Sequence, residues 1–247
     1  MSFISQKLGQ FTYFDTQLGK PAWEGKHVLD FGGNIGNILK DDKSTIDHER
    51  YWCLDVSCDA IALGKETWPE AHWIHYNRYN FAFNPQGRPG LALPALGQQF
   101  DYILAYSVFT HISPSEMLVL VRVLRGLLKT GGYLTFTFID PHYQSWPTHY
   151  DGTNLQWRLA KIKRENPTVH VEALLAKAKN ASWCILVNDD DLYVESEDIK
   201  AYAPHEQHSY HAYYTPAYMR TLFPDAVIAP PVHGEMQHCG ILRRAWA

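Results

Sequence analysis

Apolar residues in the first 140 positions are grouped in short runs that have the length and composition of β-strands. The runs cover 27–31, 51–56, 72–76, 101–107 and 132–139, and 72–76 is the weakest. Helical patterns occupy 57–68 and 113–129, and the second begins with the N-cap signals Ser113, Pro114 and Glu116. Strands that alternate with helices predict βαβ units and a mostly parallel sheet.

The pattern changes after residue 139, where a turn-rich and aromatic segment begins. Short helices are predicted at 158–165, 171–180 and 215–224, and the run 188–198 is interpreted as a solvated loop and a helix start. Two closing runs, 226–232 and 236–245, predict a terminal antiparallel strand pair. The segment 141–214 is therefore interpreted as a cap on the end of the sheet.

Composition and charge limit the kinds of binding partner and the cellular location that we expect for this protein. The 247 residues are 46% hydrophobic and carry a net charge of −4, which argues against a nucleic-acid footprint. No run reaches the roughly 20 apolar residues of a membrane span. The start lacks a basic segment followed by an apolar run, and the four cysteines include no CxxC, so we expect reduced thiols in the cytoplasm.

The loop after the first strand, "DFGGNIG", lies where an α/β sheet binds ligands, beyond the carboxyl end of a strand beside the switch point. Gly32 and Gly33 permit a sharp turn, and Asn34 is among the few other residues that tolerate left-handed backbone. A helix beginning near Ile35 would direct its N-terminal amides at the ligand. Asp55, after the second strand, offers a carboxylate to a pair of ribose hydroxyls.

Three other interpretations of this loop can be compared. The glycines could simply turn a strand into a helix. A dinucleotide fingerprint is disfavoured because asparagines replace glycines at positions 34 and 37. A Walker phosphate loop is excluded because no G-K-[ST] follows.

The segments "VLDFGGNIG", "FDYILAYSVFTHI" and "LLKTGGYLTFTF", with Asp55 after strand two, resemble the successive motifs of class I S-adenosylmethionine (SAM)-dependent methyltransferases. The resemblance covers about 25–140 and the final strand pair. It implies a Rossmann-like α/β fold with a doubly wound, mostly parallel seven-stranded sheet, a final antiparallel strand and a helical, aromatic cap inserted after strand 5. We expect a single domain over 1–247, with the SAM-binding core at about 25–140 and 215–247.

The resemblance also implies roles for individual residues, with SAM as the cofactor. Asp30 and the backbone of Gly32, Gly33, Asn34 and Gly36 would hold the methionine part of SAM, and Asp55 would bind the ribose. Val56 and the region around Asn77 would flank the adenine, and Ser107 and Val108 would line the sulfonium side.

A general base is needed only if the methyl acceptor carries a proton of high pKa, such as that of an alcohol. His111 follows the fourth strand and His142 the fifth, and both are candidate bases because imidazole has a suitable pKa. With 13 histidines in the chain, either residue could equally be an ordinary capping or surface group.

We predict no metal site. His205, His208 and His211 have a spacing that invites a metal interpretation, but no matching carboxylate or cysteine pattern accompanies them. Asp140 follows the fifth strand, yet Ser107 stands after the fourth, where magnesium-dependent relatives of this family carry an acid.

Aromatic residues of the cap are candidates for an apolar acceptor pocket, with core packing as the alternative for each. They are Trp146, Tyr150, Trp157, Tyr210, Tyr213 and Tyr214. We therefore predict methyl transfer to a hydroxyl of a small organic molecule, in specialised metabolism. Nitrogen or carbon acceptors, a macromolecular acceptor and a non-catalytic SAM-binding protein remain alternatives, and the oligomeric state stays open, with a homodimer as one option.

Overall fold

The computed structural model describes residues 7–41, 43–144, 152–195, 197, 209–232 and 234–245. The elements in chain order are α1 Gln10–Gln17, β1 Val28–Phe31, β2 Tyr51–Asp55, α2 Cys58–Thr67, β3 His72–His75, β4 Phe100–Ala105, α3 Pro114–Gly126, β5 Leu128–Ile139, α4 Asn154–Glu165, α5 Val171–Ala178, β6 Trp183–Val187, β7 Asp191–Val194, β8 Tyr210–Tyr214, α6 Pro216–Leu222, β9 Val227–Ala229 and β10 Gln237–Arg243.

A seven-stranded sheet in the order β3-β2-β1-β4-β5-β10-β9 forms the centre of the fold. β1 pairs in parallel with β2 and with β4, so the chain order reverses beside β1. β10 is antiparallel to both β5 and β9. At Gly240, opposite Phe136, a Cβ atom would lie 2.4 Å from the Phe136 ring, so only glycine fits there. The predicted fold class is confirmed.

Alternate residues of the strands pack against opposite faces of this sheet. Leu29 and Ile103 belong to the cluster that α3 completes, while Val28 and Leu104 belong to the cluster that α1 completes. α3 begins as predicted, because the Ser113 hydroxyl accepts a hydrogen bond from the Glu116 backbone N–H.

The cap contains a second, three-stranded antiparallel sheet in the order β7-β6-β8, which packs with α4 and α5. The prediction of a loop and a helix start over 188–198 was wrong, because β7 lies within it. Asn188 and Asp189 have positive φ of 50° and 66°, and two left-handed residues favour a tight hairpin between strands.

The helix expected near Ile35 was also wrong. Residues 34–40 form consecutive turns, with the Gly36 backbone N–H donating to the Gly33 carbonyl at 3.0 Å. Asn34 and Gly36 have φ of 53° and 79°, and left-handed residues interrupt a right-handed helix. Within the described ranges, no helix is long and apolar enough to cross a membrane.

Candidate active site

A cavity of about 680 Å³ opens at the carboxyl ends of β1, β2 and β4. Because parallel strands end at the same edge of the sheet, it collects residues that are distant in the sequence. The sequence-predicted residues that line it are Gly32, Asn34, Asp55, Val56, Ser107, Val108, His111 and Tyr210. We call this the main cavity.

Gly32 forms the tight floor of the main cavity. Its φ is 76°, and a Cβ atom there would lie 2.4 Å from Val108 Cγ2. The Gly32 N–H donates to the Leu54 carbonyl at 2.7 Å. Glycine is required because both the backbone conformation and the approach of Val108 exclude a side chain.

Asp55 connects the end of β2 to the glycine loop. Its Oδ2 accepts a hydrogen bond from the Asn34 backbone N–H, and its Oδ1 accepts one from the Ser57 backbone N–H, both at 2.8 Å. Burial raises the pKa of Asp55, and the backbone donors act in the opposite direction. A carboxylate keeps further acceptor capacity on each oxygen, which suits it to a pair of hydroxyls.

Asp30 is fully buried and does not line the main cavity. Its Oδ2 accepts a hydrogen bond from the Tyr51 hydroxyl at 2.6 Å, while Oδ1 has no partner among the described residues. Burial raises the pKa of Asp30 to about 7, despite the Tyr51 hydrogen bond. A Cβ at Gly33 would lie 2.4 Å from Asp30 Oδ2, so the Asp30 carboxylate packs directly against the backbone of the glycine loop.

Three further residues predicted to contact SAM, which are Gly33, Gly36 and Asn77, lie outside the cavity lining. Gly36 packs against Trp73, whose ring would lie 2.9 Å from a Cβ at this position. Asn77 is exposed and its side-chain oxygen accepts a hydrogen bond from Asn84, although Tyr76 and Arg78 beside it do line the cavity.

Ser107 lies at the tip of β4 in a left-handed conformation, with φ of 60°. Its N–H donates to Thr137 Oγ1 at 2.7 Å, and its hydroxyl accepts a hydrogen bond from Gln237 Nε2 at 2.7 Å. Thr137 in turn donates to Gln237 Oε1 at 2.5 Å. These bonds connect β4, β5 and β10 at the cavity wall.

A second cavity of about 200 Å³ adjoins the first, and Ser107, His111 and His211 line both. His111 Nδ1 lies 2.7 Å from the Tyr210 carbonyl, so Nδ1 carries the proton and Nε2 is left as an acceptor. Burial lowers the pKa of His111 to about 4, which keeps the imidazole neutral near pH 7.

The remaining sequence-predicted residues are divided among several environments. His142 is exposed and lines neither cavity. Tyr213 lines the second cavity together with Trp157. Tyr214 is a core residue that lines neither cavity, because it is fully buried and its hydroxyl donates to the Ile112 carbonyl. Trp146 and Tyr150 lie outside the described residues.

Several lining residues carried no signal in the sequence. Arg78 forms an ion pair with Glu116 at 3.1 Å, and both residues line the main cavity. Lys7 contacts the Tyr106 hydroxyl and pairs with Glu235 at 3.0 Å. These pairs join positions 38 to 228 residues apart, and no local spacing predicts them.

Within the part of the chain that the structure describes, no group of three or more His, Cys, Asp or Glu residues is arranged to hold a metal ion. His205 and His208 of the sequence cluster lie outside it.

A family model described as a methyltransferase domain matches residues 29–134, which include β1 to β4 and most of β5. No curated protein matches the sequence. Similar solved structures include the SAM-bound amino pentose methyltransferase CalS10 from Micromonospora echinaspora, at 12% identity and a TM-score of 0.53, covering 97% of this chain and 92% of that one. The glycopeptide N-methyltransferase MtfA has 12% identity and a TM-score of 0.51, and the match covers 97% of this chain and 94% of MtfA. A SAM-dependent methyltransferase from Clostridium acetobutylicum has 10% identity and a TM-score of 0.51, and the match covers 98% of this chain and 93% of that one. At these identities, the likeness is one of fold.

The main cavity fits SAM on its own geometry. Its volume is within the range of about 300–1,000 Å³ typical of ligand sites. Gly32 leaves backbone open to the ligand, and the Asp55 carboxylate is fixed at the tip of β2. The family model identifies a methyltransferase domain over residues 29–134, and the complete fold around it is that of the class I SAM-dependent methyltransferases.

Proposed function

We propose that the enzyme methylates a hydroxyl group of a small organic acceptor, with His111 as the proton acceptor. The observation that carries the proposal is the junction of the two cavities. Ser107 and His111 line both cavities, so an acceptor bound in the second cavity would reach the main cavity beside these two residues. His111 is the sequence-predicted base that lies at this junction.

The size and lining of the second cavity favour a small acceptor. Its volume, about 200 Å³, is below the usual range for drug-sized ligands. Trp157, Tyr213 and Ile139 give it aromatic and apolar walls, while Thr110 and Gln237 add polar groups. Such a mixture orients a small molecule by packing and a few hydrogen bonds.

SAM supplies an electrophilic methyl group, and its sulfur keeps the electron pair of the bond that breaks. The acceptor oxygen forms the new C–O bond, and its proton passes to Nε2 of His111 as that bond forms. A base with a pKa of about 4 is weak toward a resting hydroxyl. It suffices here because an oxygen that is gaining a methyl group becomes strongly acidic. The low pKa also keeps His111 unprotonated before each turnover.

The proposal is tested first by calorimetric titration with SAM and S-adenosylhomocysteine. Methyl transfer is then measured as formation of S-adenosylhomocysteine over a panel of phenols and amines. We expect His111→Gln to lower kcat on a phenol by about 100-fold and leave the affinity for S-adenosylhomocysteine within about 3-fold. His142→Gln tests the other sequence-predicted base, and a larger loss in that variant would reassign the role.

A nitrogen acceptor is the second candidate. It is favoured by two of the similar structures, whose described acceptors are an amino pentose and a glycopeptide nitrogen. An uncharged amine attacks before it must lose a proton, so its methylation should depend less on His111. Turnover of amines but of no phenol, with little effect of His111→Gln, would replace the hydroxyl proposal.

A further inference from the structure

Arg158 is a cation in the second cavity to which the proposed reaction assigns no role. It lies on α4 and lines this cavity with His211 and Tyr213. Its side chain is 19% exposed, so most of the side chain, including Nε, is removed from solvent. A long charged side chain is seldom buried to this extent unless its donors are paired.

The hydrogen bonding of Arg158 is incomplete within the described residues. Nη2 donates to Asp189 Oδ1 at 2.8 Å, whereas Nε is buried and has no partner there. A guanidinium has five N–H donors, and a buried donor of a charged group is costly to leave unpaired. An oxyanion of a ligand would supply the missing acceptor and match the fork geometry of the donors.

The guanidinium is held on rigid elements. α4 begins with a complete capping box between Thr153 and Gln156, which precede Arg158 by five and two residues. Asp189 lies in the tight turn between β6 and β7 and also accepts a contact from the Ser209 hydroxyl at 3.4 Å. The donors are therefore positioned before a ligand arrives, which reduces the entropy lost on binding.

The electrostatics of the second cavity favour an anion. Burial lowers the pKa of His211 to about 3, and among the neighbouring charges Arg158 is the largest contributor, followed by His111 and Lys161, with Asp189 opposing. Arg158 also lowers the pKa of His111, after burial. Both imidazoles stay neutral near pH 7, so Arg158 is the cation with the largest effect on them, and at His211 the opposing effect of the Asp189 carboxylate is smaller.

We propose that the methyl acceptor carries an oxyanionic group, such as a carboxylate, and that Arg158 binds it in the second cavity. This inference rests on the proposed function. The anion would anchor one end of the acceptor beside Arg158, and the reacting group would lie at the junction lined by Ser107 and His111. Arg158 would thus determine specificity without contacting the transferred methyl group.

The alternative is that Arg158 and Asp189 form a structural ion pair alone. That arrangement would stabilise the contact between α4 and the β6–β7 turn and give no preference for charged acceptors. The two cases differ in the ratio of the affinities for an anionic and a neutral acceptor. A loss of protein stability does not change this ratio.

The test uses 4-hydroxybenzoate and its neutral near-isostere 4-hydroxybenzamide as probes. Each is titrated by calorimetry into the full chain saturated with S-adenosylhomocysteine. We expect the benzoate to bind at least 10-fold more tightly than the amide, and the ring nitrogen signals of His211 to shift in NMR spectra of the same titration. Arg158→Gln should reduce the ratio to about 1, and Arg158→Lys should retain part of it.

Arg164→Gln is the matched control, because it removes the same charge from an exposed position of the same helix. It should keep the full preference for the benzoate. Equal binding of the two probes, absence of benzoate binding, or a preference that survives Arg158→Gln would overturn the inference. Failure of S-adenosylhomocysteine to bind in the first step would instead overturn the proposed function, and this inference with it.

Discussion

Replacing Asp55 with Asn should weaken cofactor binding while the protein remains folded. Two of the roughly four acceptor positions of the carboxylate are used by the N–H groups of Asn34 and Ser57. The others are available to ribose hydroxyls. Hydrogen bonds to a charged group contribute about 1.5–3 kcal/mol each. We expect a loss of about 2–4 kcal/mol, or about 30- to 1,000-fold in Kd for S-adenosylhomocysteine.

The same substitution has a structural cost that the assay must separate. The Asn side chain presents its NH₂ to one of the two backbone donors, and an unpaired buried donor costs about 1–3 kcal/mol. Calorimetry is therefore run well below the unfolding midpoint, with circular dichroism as a check on folding. Asp59→Asn makes the same chemical change at an exposed position in the first turn of α2 and should leave the affinity unchanged.

An affinity within about 3-fold of the original in a folded Asp55→Asn protein would refute this reasoning. The ribose would then depend on other groups, and the role of Asp55 would be limited to holding the loop through Asn34.

Three further predictions concern the loop and the core. Because burial raises the pKa of Asp30 from 3.8 to about 7, the folded protein binds a proton at Asp30 more tightly than the unfolded chain does. The free energy of unfolding should therefore fall as the pH rises from about 4 to 7, by up to about 1.4 kcal/mol per unit, and urea unfolding of Asp30→Asn should show a flatter profile. Gly32→Ala should cost about 1–2 kcal/mol in backbone strain, add a clash with Val108 and weaken S-adenosylhomocysteine binding, and Val108→Ala in the same chain should relieve the clash and restore part of the binding but not the backbone strain. Tyr214→Phe removes a buried hydrogen bond to a carbonyl, so it should lower thermal stability by about 1–3 kcal/mol with no change in KM for the acceptor; a changed KM would return Tyr214 to the acceptor site.

The main sheet could be predicted from sequence because each strand is a short apolar run bounded by polar turns. α1 could not, since its pattern is weak and tertiary contacts stabilise it. The Thr12 backbone and hydroxyl both donate to Asp41 Oδ2 at 2.9 Å, and Phe11 and Phe14 are buried against the sheet. The β7 strand escaped prediction because acidic residues precede it and the short hairpin depends on left-handed Asn188 and Asp189.

The candidate site divides in the same way. Gly32, Asn34 and Asp55 could be predicted because each lies at the end of a strand or within three residues of it, and parallel strands bring such positions to one edge. Arg158 could not, because its neighbours come from other elements that only the folded cap brings together. The aromatic pattern of the cap was equally compatible with core and pocket, and the structure divides it accordingly, with Tyr214 in the core and Tyr213 at the second cavity.

The antiparallel strand β10 contributes to the site as well as to the sheet. A left-handed backbone at a residue other than glycine costs about 1–2 kcal/mol, and Ser107 adopts it at the junction of the two cavities. Hydrogen bonds from the Ser107 N–H to Thr137 and from Gln237 to the Ser107 hydroxyl offset this strain. Gln237 is available for this contact because it begins β10, opposite the last residue of β5, Ile139. The position of β10 beside β5 therefore fixes the backbone at the point where methyl donor and acceptor are proposed to meet.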